Sequence, residues 1–273
     1  MWYRERGVWR NKPQLFYSSA IPGVVSGIRP NAFPVPDPPT IHGIESFHAF
    51  TTGADPQVLS LSSQTYSAGD YGLFFFGTDG GATIGNLTSA TDDTYAQIVS
   101  HTGSGGAPTS LKLLELTVVG AGLDASVSVD LSSGRDACGG LITISGADVN
   151  ANQPAAVSTV NLAPSENRQP VSSGITLPEP NCLVFSIWHS YGGQTVGNIN
   201  AGVPADFTML GALVSGATET STAQSSMGIA YRVYDEEDFD LDDETGNITW
   251  GATTLDANVD WSAFTIAIRP APL

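Results

Sequence analysis

The sequence predicts an all-β protein: an antiparallel two-sheet sandwich of jelly-roll type, duplicated about an internal pseudo-twofold and preceded by an extended N-terminal arm. Three observations predict it. First, a segment recurs: Gly80-Gly81-Ala82-Thr83-Ile84-Gly85-Asn86-Leu87 returns as Gly192-Gly193-Gln194-Thr195-Val196-Gly197-Asn198-Ile199, at a constant offset of 112 positions. Recurrence at a long period marks a repeated supersecondary unit. Second, 30 glycines and 17 prolines interrupt 273 residues, so the apolar runs are short and bounded by turn formers, as in a many-stranded β fold. Third, residues 1–40 differ in composition from everything after them.

The body begins at about residue 41. Residues 46–50 (SFHAF) and 58–61 (VLSL) read as short strands. Residues 71–76 (YGLFFF) are an unbroken apolar run, too short for a helix, and read as a buried strand. Residues 95–100 alternate, and residues 111–118 place Leu114, Leu116 and Val118 on one face. Residues 126–130 put Val127 and Val129 inward, and residues 138–144 (CGGLITI) close the first half. In this reading the Gly80 segment is a turn.

A polar, proline-bearing stretch follows, with short strand candidates near 157–162 and 174–177. Residues 182–188 then lead into the second copy of the turn. Residues 207–213 and 227–233 supply the next two runs, and 247–250 and 261–268 the last two. Residues 136–144 align with 260–268 at an offset of 124. The second half therefore carries an insertion, and the acidic segment 235–244 lies where it must fall. The halves run from about 70 to 146 and from 181 to 269. Each is expected to supply a face that it cannot bury alone.

Residues 1–40 hold Arg4, Arg6, Arg10, Lys12 and Arg29 against Glu5 and Asp37, a net charge of +3, whereas the whole chain carries −17. They also hold seven prolines, with Trp2, Tyr3, Trp9, Phe16, Tyr17 and Phe33 among them. Prolines at that density forbid helix and favour an extended chain. Disordered tails are poor in large aromatics, so the arm is expected to dock on a partner through Trp2, Arg4, Arg6, Trp9, Arg10, Phe16 and Tyr17. The acidic body repels nucleic acid and anionic membranes. No apolar run approaches the ~18 residues of a membrane span. The first residues, MWYRERGVWR, lack an apolar signal core and a cleavage site. The sequons at Asn86 and Asn247 are read as accidental.

No catalytic constellation stands out, and no cofactor or metal site is expected. His42, His48, His101 and His189 are scattered without metal-type spacing. Cys138 and Cys182 are expected to be buried free thiols: alternation places Cys138 with Ile142 and Ile144, but Cys182 opposite Phe185 and Ile187. Residues 235–244 hold eight acids in ten positions, yet an EF-hand counted from Asp238 would need Gly at Asp243 and Glu at Thr249. A solvated loop fits better. Trp188, Tyr191 and Trp250 are the candidates for stacking on a sugar ring, with core packing as the competing role.

Certain residues also carry a resemblance. Gly69 and Asp70 open the first buried run, and a small-residue apolar run ends in Gly146-Ala147-Asp148. The second half ends in W-S-A-F-T-I-A-I-R-P, from Trp261 to Pro270. This pattern, over residues 46–270, resembles a β-sandwich module of minor virion proteins of tailed bacteriophages and related prophage proteins. Gly7 to Arg10 (GVWR) is similar to Trp-bearing segments that open phage tail and head-fibre proteins. The acidic segment departs from the pattern. The resemblance implies a non-enzymatic virion component, made in the host cytoplasm and displayed on the particle exterior, on head or tail. Its partners would be capsid or tail subunits and further copies of itself. The rival readings are an adhesin for host surface polysaccharide and a polysaccharide-active enzyme.

Overall fold

The computed structural model describes residues 2–5, 8–11, 35–42, 47–50, 55–61, 66–89, 93–103, 109–118, 122–150, 153–163, 168–192, 194–215, 225–241, 243–252, 254–256 and 258–273. They belong to two units, Met1–Val35 and Pro36–Leu273. In the first unit, β1 (Trp2–Glu5) pairs antiparallel with β2 (Val8–Asn11), Trp2 opposite Asn11 and Glu5 opposite Val8. The start of the arm is thus a hairpin rather than a single extended chain. The prolines begin only at Pro13, and the residues before them are rich in the aromatic and β-branched types that favour strands.

The second unit is an all-β sandwich. Its first half runs β3 (Thr40–His42), β4 (Phe47–Phe50), β5 (Gln57–Ser60), β6 (Tyr71–Thr78), β7 (Ile84–Ser89), β8 (Thr94–Thr102), β9 (Ser110–Thr117), β10 (Ser126–Leu131) and β11 (Ala137–Ser145). Its second half runs β12 (Ala156–Val157), β13 (Asn161–Ala163), β14 (Val171–Ser172), β15 (Cys182–Tyr191), α1 (Val196–Ala201), β16 (Thr208–Val214), β17 (Ser225–Tyr234), α2 (Glu236–Leu241), β18 (Ile248–Thr249) and β19 (Trp261–Ile268).

The two halves share one connectivity. The large sheet of the first is β11-β6-β9-β8, with β3 and β4 forming an interrupted edge on β11. The large sheet of the second is β19-β15-β17-β16, with β12 and β13 forming an interrupted edge on β19. A small sheet, β5-β10-β7, accompanies the first, and its counterpart is β14-β18. Even the irregularities correspond. The outer strands β8 and β16 each carry a bulge, between Gln97 and Val99 and between Met209 and Gly211, a common defence of a sheet edge. Gly80 and Gly192, which follow β6 and β15, both take positive φ, +65° and +100°.

The two large sheets meet face to face. Alternation along each central strand decides which core a side chain joins. Leu73 and Phe75 of β6 point to the shared interface, as do Phe185 and Ile187 of β15 and Phe264 and Ile266 of β19. Phe74 and Phe76 point the other way, onto Leu59, Val127 and Val129 of the small sheet. Trp188 and Trp261 likewise pack away from the interface, against Ile199 and Trp250. The sandwich thus has two small outer layers besides the two expected sheets. That explains why β6, β11, β15 and β19 read as continuous apolar runs: each is covered on both faces. A buried Leu, Ile or Phe contributes about 1.5–3 kcal/mol, so the shared interface is a major part of the stability.

The repeated segment is where the halves diverge. Ile84 starts strand β7, whereas Val196, its counterpart 112 positions on, starts helix α1. The neighbours differ. Opposite Phe76 on β9 stands Lys112, whose Nζ donates to the carbonyls of Ile84 (3.3 Å) and Gly85 (2.8 Å) and holds that chain extended. Opposite Trp188 on β17 stands Gly228, where any β-carbon would overlap the indole. Trp188 fills that space and meets Trp250 edge-on at 5.8 Å. The chain after Gly192 then winds so that Ile199 packs on this pair. The carboxylate of Asp256 accepts from the Thr195 amide, from Thr195 Oγ1 (2.6 Å) and from Asn198 Nδ2. A six-residue helix does not stand alone in water, so Asp256→Ala is expected to unwind α1 and cost about 1–3 kcal/mol. Chemical denaturation together with hydrogen exchange at Ile199 and Gly202 measures this. Unchanged protection there would show that the helix does not depend on Asp256.

Candidate functional site

At one end of the shared interface the two halves exchange buried polar contacts. β15 ends in the sequence Trp188-His189-Ser190-Tyr191, and alternation turns His189 toward the first half while Trp188 and Ser190 face outward. His189 is fully buried, and its Nε2 lies 2.6 Å from Ser225 Oγ at the start of β17. Ser225 Oγ also donates to the carbonyl of Gly77 on β6 (3.4 Å). Ser225 thus serves Nε2, and Nδ1 is buried with no hydrogen-bond partner. A β-carbon at Gly77 would overlap the imidazole, so glycine at this position is what lets the ring lie against β6. Gly77 and His189 are themselves counterparts, 112 positions apart.

Further polar groups line the same end. Cys138 Sγ donates to the Ser225 carbonyl (3.1 Å), and Ser215 Oγ accepts from the Ser225 amide (2.7 Å) and donates to Asp136 (3.4 Å). Asp79 follows β6, and its Oδ1 is buried without a partner. Burial, then the nearby Asp136, pushes Asp79 up to about 6, against the pull of Arg135 and a backbone hydrogen bond at Asp136. Burial, then His101, pushes His189 down to about 3. Burial raises the Cys138 thiol to about 12. An imidazole in contact with a serine hydroxyl is the pairing used to activate a nucleophile. Here both side chains are fully buried, and no substrate atom reaches them in this state.

The candidate sugar-stacking residues part company. Trp188 and Trp250 are fully buried and packed on each other, so neither offers a face to a sugar; Tyr191, at the end of β15, is half-buried. Trp250 Nε1 donates to Ser186 Oγ (3.0 Å), which bonds Ser172 Oγ (2.9 Å), which in turn accepts from Thr265 Oγ1 (2.9 Å). Of the arm residues, Trp2, Arg4, Trp9 and Arg10 lie on the hairpin by their backbones; Arg6, Phe16 and Tyr17 lie outside the described residues. In the acidic segment, Glu236–Leu241 is helix α2, and Asp238 makes a two-pronged pair with Arg232 (2.7 Å to each oxygen). Among the described residues, no group of three or more His, Cys, Asp or Glu is arranged to hold a metal ion. Cys138 and Cys182 are both free and buried, one in the shared core and one behind β15, as alternation requires.

The His189–Ser225 contact was not readable from the sequence, because 36 residues separate the partners and neither sits in a motif. Among the described residues, no helix is long and apolar enough to cross a membrane. Comparison with protein-family models, with curated proteins and with solved structures gives no match.

Proposed function

We propose that this chain is a structural, non-enzymatic component of a tailed-phage or prophage-derived particle, displayed on the exterior and attached through its N-terminal segment. One observation carries the reading. The division of the chain into Met1–Val35 and Pro36–Leu273 coincides with a reversal of charge. The first unit holds five basic residues against Glu5, a net +4, and the second holds five against 26 acids, a net −21. A small basic segment joined to a large acidic body suits attachment to an acidic protein surface. The strand orders support a jelly-roll reading of each half. β11, β6 and β9 with the β3/β4 edge alternate in sequence with β5, β10 and β7 of the small sheet, the two-layer exchange that a jelly roll makes. Here β8 stays on the edge of the large sheet. The burial of His189, Ser225, Trp188 and Trp250 favours a structural role over the enzymatic and sugar-binding alternatives. Ordering an extended segment costs entropy, which several copies docking together offset.

Two measurements test this. Purified particles should contain the chain as a stoichiometric component. A chain beginning at Thr40 should fold, with strand-type circular dichroism, yet fail to bind particles that lack the protein. Decoration by the shortened chain as complete as by the full one would move attachment into the sandwich.

A further inference from the structure

We propose that the end of the inter-half interface closed by His189 and Gly77 is an acid-sensitive latch, which opens locally when the imidazole takes up a proton. The ring belongs to one half and lies against the backbone of the other, with Ser225 as the hinge of the contact. Duplication has left a histidine on one side of the seam and a glycine on the other. The charged ring carries a proton on both nitrogens, and Nδ1 has no acceptor for its own in the closed state. Ser262, opposite His189 on β19, is fully buried, and its hydroxyl also has no partner. A buried imidazolium without an acceptor is costly, and water reaches Nδ1 only if the sheets part at this end.

The surrounding groups do not relieve the charge. His101 of β8, itself held below its ordinary range by burial, repels a proton on His189. Cys138 of β11 donates to the Ser225 carbonyl and Asp136 before it accepts from Ser215, so both are engaged elsewhere than at Nδ1. Asp79, in the turn after β6, works in the opposite sense. Its closed-state pKa is raised, so acid favours closure there, and its effect must be removed to read the latch alone.

The closed-state pKa of His189 is depressed to about 3 from 6.5. The stability of the latch is therefore complete above the ordinary value and falls as pH drops from there toward 3. One proton taken up on opening makes the open population grow about tenfold per pH unit across that window.

The experiment is hydrogen exchange, corrected for intrinsic rates, at the amides of Gly77, Ser225 and Ser262, in the full-length Asp79→Asn chain and in the same chain carrying His189→Gln. Opening should rise about tenfold per pH unit between pH 6 and 4 in the first and stay flat in the second. Equal slopes in the two chains, or a flat profile in the first, would overturn the proposal. Imidazole nitrogen spectra of the unmutated chain give a reading that needs no variant. A His189 ring that stays neutral until these amides open supports the latch, and a ring that charges while they remain protected refutes it.

Discussion

Replacing Trp250 by alanine is expected to cost about 3–5 kcal/mol, the range for removing a fully buried large aromatic. Trp250 is the keystone of the outer layer of the second half. It is fully buried, meets Trp188 at 5.8 Å and an interplanar angle of 84°, and shares its cluster with Ile199, Leu255 and Trp261. An edge-on aromatic pair adds about 0.5–1.5 kcal/mol beyond burial. The Nε1 donor also anchors the Ser186–Ser172–Thr265 chain that joins β15 and β19 to β14. Trp250→Phe should therefore cost less than Trp250→Ala, since it keeps a ring and loses the donor. Denaturant unfolding of the three proteins measures the series. A loss below about 1 kcal/mol for the alanine variant would mean that the layer repacks around the gap and that burial does not report its contribution.

Gly77→Val is the second large expectation, and its effect lies in the joint between the halves. The β-carbon alone overlaps the His189 ring, and the ring is fully buried between two sheets. Overpacking a tight core typically costs about 1–3 kcal/mol and sometimes more. Here a β-branched residue meets a rigid ring and breaks its Ser225 contact as well, so the upper end or beyond is expected. The decisive measurement is a cycle with His189→Ala. If the clash is with the ring, the double variant is more stable than the sum of the two single losses by at least about 1 kcal/mol. Strict additivity would place the damage elsewhere, in the β6 backbone or in its pairing with β11.

The duplication and most strands are legible in the sequence, and for a local reason. Apolar runs such as 71–76 and 182–188 lie between turn formers, and the recurring glycine segment sets the two runs in the same place in each half. The position of the insertion is legible in part: α2 falls within the acidic segment, but the offset is already 116 where Gly228 stands in the place of Lys112, so some of the added residues precede β17. Three things are not. The paired strands β1 and β2 merge with the proline-rich stretch after them when composition is averaged over 40 residues. Strand β7 reads as part of a turn, because Gly80 and Gly81 precede it closely and Gly85 lies within it. The aromatics Trp188 and Trp250 can be placed on a strand face or near a strand end, but not in a layer, because a period of two says which residues share a face and not what covers it.

The sequence alone determined the strand class, the repeat and the alternation that puts Phe75 and Phe76 on opposite faces of their strand. These depend on neighbours within a few residues, and backbone geometry enforces them wherever the chain lies. Tertiary structure alone decided the conformation of the repeated segment and the polar end of the seam. The last four positions of the repeat belong to a strand where Lys112 reaches across to the carbonyls of Ile84 and Gly85, and to a helix where Gly228 admits Trp188 and Asp256 holds the first turn. The intrinsic preference in so short a segment is about 1 kcal/mol per residue or less, below the about 3–5 kcal/mol that truncating one buried tryptophan costs. The partner of His189 was decided in the same way: a serine 36 residues away becomes its neighbour only once two sheets have formed and closed on each other.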